Sequence, residues 1–288
     1  MATTVAVFNK PGKRFPFAQV LRYTVLTVLA FLFITPLLWM LTTSFKTTGQ
    51  AYRFPPEFIP STVTFDAYQN LWTGAIPFQK FYLNTTIIVI FVEIGTLFSC
   101  TTTAYAFARL RWWGRNTWFV VLLATMMLPF QVIMIPVYMI FRSLGWLDTW
   151  LPLIVPAFFG NPFYIFLLRQ FFLGLPRDLE DAARVDGAGS LRILWQIFLP
   201  LSKPVLLTVA MFTFVAAWND FLGPLLYLTS IDKMTVTVGL SMFIGRSGAT
   251  NWPNMMAGAT LALLPILIMF LLFQKYFVKG IALTGMKG

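Results

Sequence analysis

Few residues in this 288-residue chain could do chemistry, and their types exclude more than they suggest. Histidine is absent. That removes the side chain best suited to proton transfer near neutrality and the commonest metal ligand. The single cysteine, Cys100, lies in an apolar run and reads as a small core residue. One thiol cannot make an internal disulfide, a C-x-x-C redox pair or a zinc cluster. Of the ten acids, only Glu93 and Asp220 sit deep inside long apolar stretches. A charge at mid-membrane costs about 2.5–3.5 kcal/mol on insertion scales, so each must face a cavity, a partner or a bundle interior. Each can serve a translocation path or gate, or simply hydrogen-bond one helix to another. Asn219, Asn161 and Gln131 are uncharged polar groups in similar surroundings. They can bind a polar solute or glue helices together. No phosphate loop, nucleophile elbow, H-E-x-x-H or G-x-G-x-x-G occurs. No catalytic residue and no metal ligand set can therefore be assigned.

The other chemically dense stretch is residues 176–204, which hold four acids and four bases within 29 positions. Its pattern predicts two short helices with a break. Asp178 is an N-cap candidate, and Glu180 and Asp181 suit a helix N-terminus. Asp186, Gly187, Ala188 and Gly189 follow, and the two glycines supply the bend. Ser190 can cap the second helix. Leu191, Leu194, Trp195 and Phe198 then form one apolar stripe, and Pro200 and Pro204 end that helix and begin the next. Ala182 and Ala183 leave a smooth surface for the close approach of another protein.

The elements that must carry these residues follow from composition. Hydrophobic residues make up 58% of the chain, charged residues 11%, and the mean hydropathy is +0.75. A soluble fold of this size cannot hide so much apolar surface, and disorder is excluded by the same figures. Stretches poor in charge predict an all-α, polytopic membrane protein with six transmembrane helices. They fall near 22–43, 82–107, 117–141, 151–173, 204–228 and 256–277. The first is read as a retained helix rather than a signal peptide, because its apolar part is too long. A tail, 1–21, precedes it. A loop, 44–80, rich in Pro, Thr and aromatics, follows it. Residues 174–203 form the longest loop on the N-terminal side, and 278–288 form a terminal tail. With both termini cytoplasmic, the inside segments hold fifteen Lys and Arg and the outside loops six. The net charge of +11 is thus mostly the positive-inside signal and contact with the lipid bilayer, not a nucleic-acid surface. The outside loop 229–255 carries Gly245, Arg246 and Trp252 in an irregular run. Arg and Trp are the side chains that most often anchor interfaces.

Residues 181–200 resemble the "EAA" loop of the membrane subunits of ATP-binding-cassette importers. Asp181, Ala182, Ala183, Gly187, Ile197, Leu199 and Pro200 fall on that pattern in register, with Asp181 in place of the usual Glu and Glu180 just before it. Asn84 to Arg111, Met127-Leu128-Pro129, Leu144 to Thr149, Trp218 to Phe221 and the terminal Gly285 to Gly288 are similar to the carbohydrate-uptake branch, within it to the smaller, maltose-type permease. The resemblance implies a type I importer permease fold whose transmembrane core spans 81–277. It implies a second, different permease, two ATPase copies docked inside and an external solute-binding protein. It makes 174–203 the ATPase-coupling loop and gives residues 245–253 a role in displacing the solute from the binding protein. ATP and Mg would be bound by the partner ATPase, and no cofactor by this chain. The transported solute would be a carbohydrate or related polyol, and this chain would not be an enzyme. Two other readings remain at this point. One is an importer permease for a non-sugar solute. The other is a secondary transporter, which would have only Glu93 and Asp220 for ion coupling and would leave the loop unexplained.

Overall fold

The computed structural model describes the backbone of residues 17–244 and 250–285 and the side chains of 19–244 and 250–274. Among the described residues every regular element is helical. α1 (Phe17–Ser44) is apolar all round and packs along the last helix. After it come α2 (Thr48–Ala51), closed by a Thr47–Gln50 capping box, and α3 (Asp66–Thr73). The central element is α4 (Phe78–Arg109). Its small residues Gly95, Thr96, Ser99, Cys100, Thr101 and Ala104 are all buried, which lets neighbouring helices come close. A Cβ at Gly95 would stand 2.7 Å from the Phe158 ring.

The stretch expected as one helix over 117–141 is instead two. α5 (Arg115–Thr125) and α6 (Phe130–Ser143) meet at 99° across Met126-Met127-Leu128-Pro129. Pro129 lacks an N–H and disfavours helical backbone at Leu128, so the first helix stops there and the second restarts with Pro129 as its cap residue. The segment 151–173 is also interrupted. α7 (Leu151–Ile154) runs into a 3-10 turn, Val155–Phe159. Gly160, at φ +89°, then turns the chain into α8 (Pro162–Leu173). Then follow α9 (Asp178–Val185), α10 (Ser190–Ile193), a π-helical turn at Leu194–Phe198, and α11 (Leu199–Leu201). An 82° bend at Ser202 leads into α12 (Lys203–Trp218). The helix expected over 204–228 breaks at Asn219–Phe221 and resumes as α13 (Leu222–Tyr227). A 3-10 turn at Ile231–Lys233 and α14 (Val236–Ser241) precede α15 (Trp252–Gly285). α15 starts earlier than the expected 256, so Trp252 and Pro253 lie in its first turn, not in an irregular loop. Proline at the second position of a helix costs no hydrogen bond, which is why Trp252-Pro253 can open one. Among the described residues four helical stretches, Leu151–Leu173 counted as one, are long and apolar enough to cross a membrane, or up to six if each bent pair is one span.

Two cores sit at opposite ends of α4. One gathers Cys100, Ala104, Tyr105, Leu168, Phe172, Ile193, Leu194, Phe198 and Val209. The other gathers Ala67, Leu71, Phe78, Phe81, Val236, Phe243 and Ala257. In the second, Gly239 has no room for a side chain: an added Cβ would overlap the buried Phe81 ring. Overpacking of this kind costs about 1–3 kcal/mol. Gly239→Ala is therefore expected to lower the yield of monodisperse, membrane-extracted protein severalfold in size-exclusion profiles. Wild-type yield would show that Phe81 swings aside freely.

Candidate functional site: the α9–α10 segment and a cavity within the bundle

α9 begins one residue before the expectation. Its cap residue is Arg177, whose side chain makes no capping bond, and Asp178, Glu180 and Asp181 occupy the first turn. The three carboxylates favour that turn through the helix dipole instead of through a cap hydrogen bond. Likewise Ser190 is the first helical residue of α10, and Gly189 occupies the cap position. The end of α9 is closed by backbone bonds. The Ala188 amide donates to Ala183 O at 2.9 Å and the Gly187 amide to Arg184 O at 3.0 Å, with Gly187 at φ +80°. This is a Schellman closure, which needs the left-handed residue that glycine supplies.

Glu180 and Asp181, adjacent in sequence, have different surroundings. Glu180 is buried: Arg184 Nη2 donates to its Oε1 at 2.8 Å, and Arg109 Nε stands 4.0 Å from its Oε2. Asp181 is exposed. Arg109 also donates through Nη2 to Phe172 O at 2.6 Å and to Leu175 O, and its guanidinium lies 5.0 Å from the Phe198 ring. One buried cation thus ties α9 to the ends of α4 and α8 and to the π-helical turn. Sequence reasoning counted Arg109 only as a topogenic charge. Its position as the last residue of a helix, after the run Ala104 to Ala108, was the available signal.

The expected apolar stripe is divided. Leu194 and Phe198 are buried together with Ile193, whereas Leu191 and Trp195 are 70% and 57% exposed. A π-helical turn shifts successive residues around the axis, so spacing for an ordinary helix does not hold across 194–198. Leu191 and Trp195, four apart, form an outward apolar ridge of their own. On α9, Leu179 is exposed and Val185 is 87% exposed, with Ala182 exposed between them. Ala183 is half-buried and packs on the core, so only one of the two alanines faces outward. Asp186 and Gly187 are exposed at the end of α9, Ile197 and Leu199 are half-buried against the core, and Pro200 is exposed.

Within the bundle, a cavity of about 590 Å³ lies between α4, α6, α7, α8, α12 and α13. Its mostly apolar wall carries the polar side chains of Thr85, Thr96, Asn161, Tyr164, Thr213, Asp220 and Thr235. Asn161 accepts the Phe163 and Tyr164 amides at 3.0 and 3.4 Å, capping α8, while its own amide donates to Cys100 Sγ at 3.2 Å. Cys100 is therefore an acceptor as well as a core filler. Asp220 Oδ1 accepts the Gly223 amide at 3.1 Å, and a Cβ at Gly223 would collide with the carboxylate. The cavity thus brings together Asn161 and Asp220 only. Asn219 donates to Val215 O at 2.8 Å on an exposed side, and Gln131 is exposed on α6. Glu93 lies outside the lining with both carboxyl oxygens sealed from solvent. It faces the Phe214 backbone without a well-formed hydrogen bond.

At the opposite end from α9, Asp148 (φ +58°) clamps the segment before α14. It accepts from the Ser230 hydroxyl at 2.6 Å and from the Ser230 and Thr229 amides at 2.8 and 3.0 Å. Lys233 lies 3.0 Å away. The Ser230 hydroxyl first, then these amides and Lys233, hold the Asp148 carboxyl well below the usual carboxylate range, so it stays ionised in acid. Tyr52 donates to Thr250 O, fixing the start of α15. Trp252 is 38% exposed there, while Gly245 and Arg246 lie outside the described residues.

Broken apolar helices around a cavity whose mostly apolar wall carries Asn161 and Asp220, with an apolar-faced helical segment at one end, fit a multi-pass membrane transport component. The chain belongs to the family of binding-protein-dependent transport system inner membrane components, which it matches over residues 95–283. An arabinooligosaccharides transport system permease protein of Bacillus subtilis is 34% identical over 263 residues, covering 91% of this chain and 93% of that protein. An sn-glycerol-3-phosphate transport system permease protein of Yersinia pestis is 33% identical over 239 residues, covering 81% and 85%. Among solved structures, a bacterial ABC transporter involved in the import of the acidic polysaccharide alginate has a chain with TM-score 0.81. It is 25% identical, and the match covers 94% of this chain and all of that one.

Proposed function

We propose that this chain is the permease subunit of an ATP-driven importer for a carbohydrate or related polyol. In that importer it pairs with a second permease, two ATPase copies and an external solute-binding protein. The observation that carries the reading is the exposed apolar face of the α9–α10 segment: Leu179, Val185, Leu191 and Trp195 project from a scaffold whose rigidity comes from the Arg109–Glu180 cluster. Exposed apolar groups gathered on one protruding segment mark a docking surface. An ATPase is the partner this reading assigns to that surface, and the family membership together with the likeness to an ABC transporter chain supports it. Both termini and α9 then lie in the cytoplasm, as the basic residues distribute. ATP and Mg belong to the ATPase, and this chain makes and breaks no covalent bond.

The cavity with Asn161 and Asp220 supplies this chain's side of the translocation path, and the bends at 126–129, 160–161 and 219–221 give it the broken helices that such sites use. In this reading contact with the binding protein falls to the segment 245–253. Purified from its native membrane, the chain is expected to bring down an ATPase and a second permease. In vesicles the complex should import a carbohydrate or related polyol only when the binding protein and ATP are both present. Uptake driven by an ion gradient without ATP would contradict the reading.

A further inference from the structure

A second cavity, about 1060 Å³, opens between α9 and residues 108–117. Five arginines line it, Arg109, Arg111, Arg115, Arg177 and Arg184, against two acids, Glu180 and Asp181. Glu180 is already engaged by Arg184 and Arg109. Arg115 spends one bond on Leu110 O at 3.1 Å. Arg111 and Arg177 make no side-chain hydrogen bond or ion pair among the described residues, and Arg177 stands close enough to Arg109 for their charges to repel. The Nε of Arg109 is buried without a hydrogen-bond partner. The cavity thus has an unbalanced positive charge that a compact anion would relieve.

The backbone points the same way. Gly114, Arg115, Asn116 and Thr117, the cap and first turn of the eleven-residue α5, line the cavity, and no side chain caps that helix. Uncapped first-turn amides favour an anion. Trp112 lines the cavity, and the adjacent Trp113 is 92% exposed. Tryptophans flanking a membrane helix sit at headgroup depth.

The cavity is not the docking surface. Arg177, Glu180, Asp181 and Arg184, at helical spacing, turn one face of α9 toward it, whereas Leu179, Ala182 and Val185 turn outward. An ATPase seated on the outward face leaves the cavity open to the membrane surface. We propose that this arginine cavity holds the phosphate of one anionic phospholipid headgroup, which bridges the membrane surface to the docking helix. The proposal rests on the membrane placement of the chain and not on the identity of the transported solute.

The test uses the purified complex and phosphatidylglycerol as the probe. Native mass spectrometry is expected to show one retained phosphatidylglycerol per copy of this chain, and its retention should fall at least tenfold in Arg111→Gln/Arg177→Gln. Arg111→Lys/Arg177→Lys should restore it, which separates loss of charge from misfolding. Phosphatidylcholine should not replace the retained lipid, and millimolar glycerol 3-phosphate should not displace it. Equal retention in wild type and the glutamine variant would overturn the proposal. So would displacement by glycerol 3-phosphate, which would make the ligand a soluble phosphate. Crosslinking of position 111 to the ATPase would also overturn it, by making the cavity part of a protein interface.

Discussion

Gly187→Val is expected to abolish solute uptake and binding-protein-stimulated ATP hydrolysis while leaving the chain in the membrane. Gly187 has no neighbour within 4 Å of where a Cβ would sit, so the defect cannot come from a clash. It comes from the backbone. At φ +80° a β-branched residue pays roughly 1–2 kcal/mol that glycine does not. The least costly relief is to abandon the bonds from the Gly187 and Ala188 amides that close α9. α9 would then fray and lose its fixed angle to α10. Because Val185 sits in the last turn of α9, the displaced part includes the docking face. Stimulated ATPase activity in reconstituted complex should fall at least tenfold. Gly187→Asn should keep a large part of it, because asparagine tolerates left-handed backbone. Normal stimulation in the valine variant would refute the role assigned to this turn.

Val185→Asp should have a comparable effect by a different route. Val185 is 87% exposed, so a carboxylate there costs the isolated chain little. In a docked complex the same carboxylate would lose its water without gaining a partner, at a cost of several kcal/mol. Interfaces concentrate their energy in a few central side chains, so one such change is expected to release the ATPase from the purified complex. Val185→Ala, which only trims the contact, should weaken association by about tenfold or less. An Asp variant that purifies with a full complement of ATPase would place the interface elsewhere.

Charge gaps made three long helices legible, because the stretches read over 22–43, 82–107 and 256–277 fall inside α1, α4 and α15, whereas those over 117–141, 151–173 and 204–228 are interrupted. The segment 178–193 was legible as two short helices because Gly187 and the acids of 178–181 are local signals. What was hidden needed tertiary information. Met126 to Pro129 carries a proline, yet Pro136 and Pro265 lie inside continuous helices, so proline alone does not announce a 99° turn. The exposure of Leu191 and Trp195 depends on a π-helical turn that leaves no mark in hydrophobic spacing. The cavity recruits Asn161 and Asp220 but leaves out Gln131 and Asn219, which also stand at helix breaks but are exposed, and Glu93, which lies in the middle of α4. Arg109 looked like one more positive-inside charge, and only its contacts reveal it as the tie between α9, α4 and α8.

The central claim is that the outward face of α9 seats a cytoplasmic ATPase. It is tested most directly by placing a single cysteine at Val185 and, separately, at Ser61 in a Cys100→Ser background. Serine keeps an acceptor for the Asn161 amide. A short thiol-specific crosslinker should join position 185 to the ATPase in native membranes, in an amount that changes with nucleotide. Position 61 should give no such product and should be labelled from outside intact cells by an impermeant thiol reagent. Labelling of position 185 from outside, with no ATPase crosslink, would contradict the account.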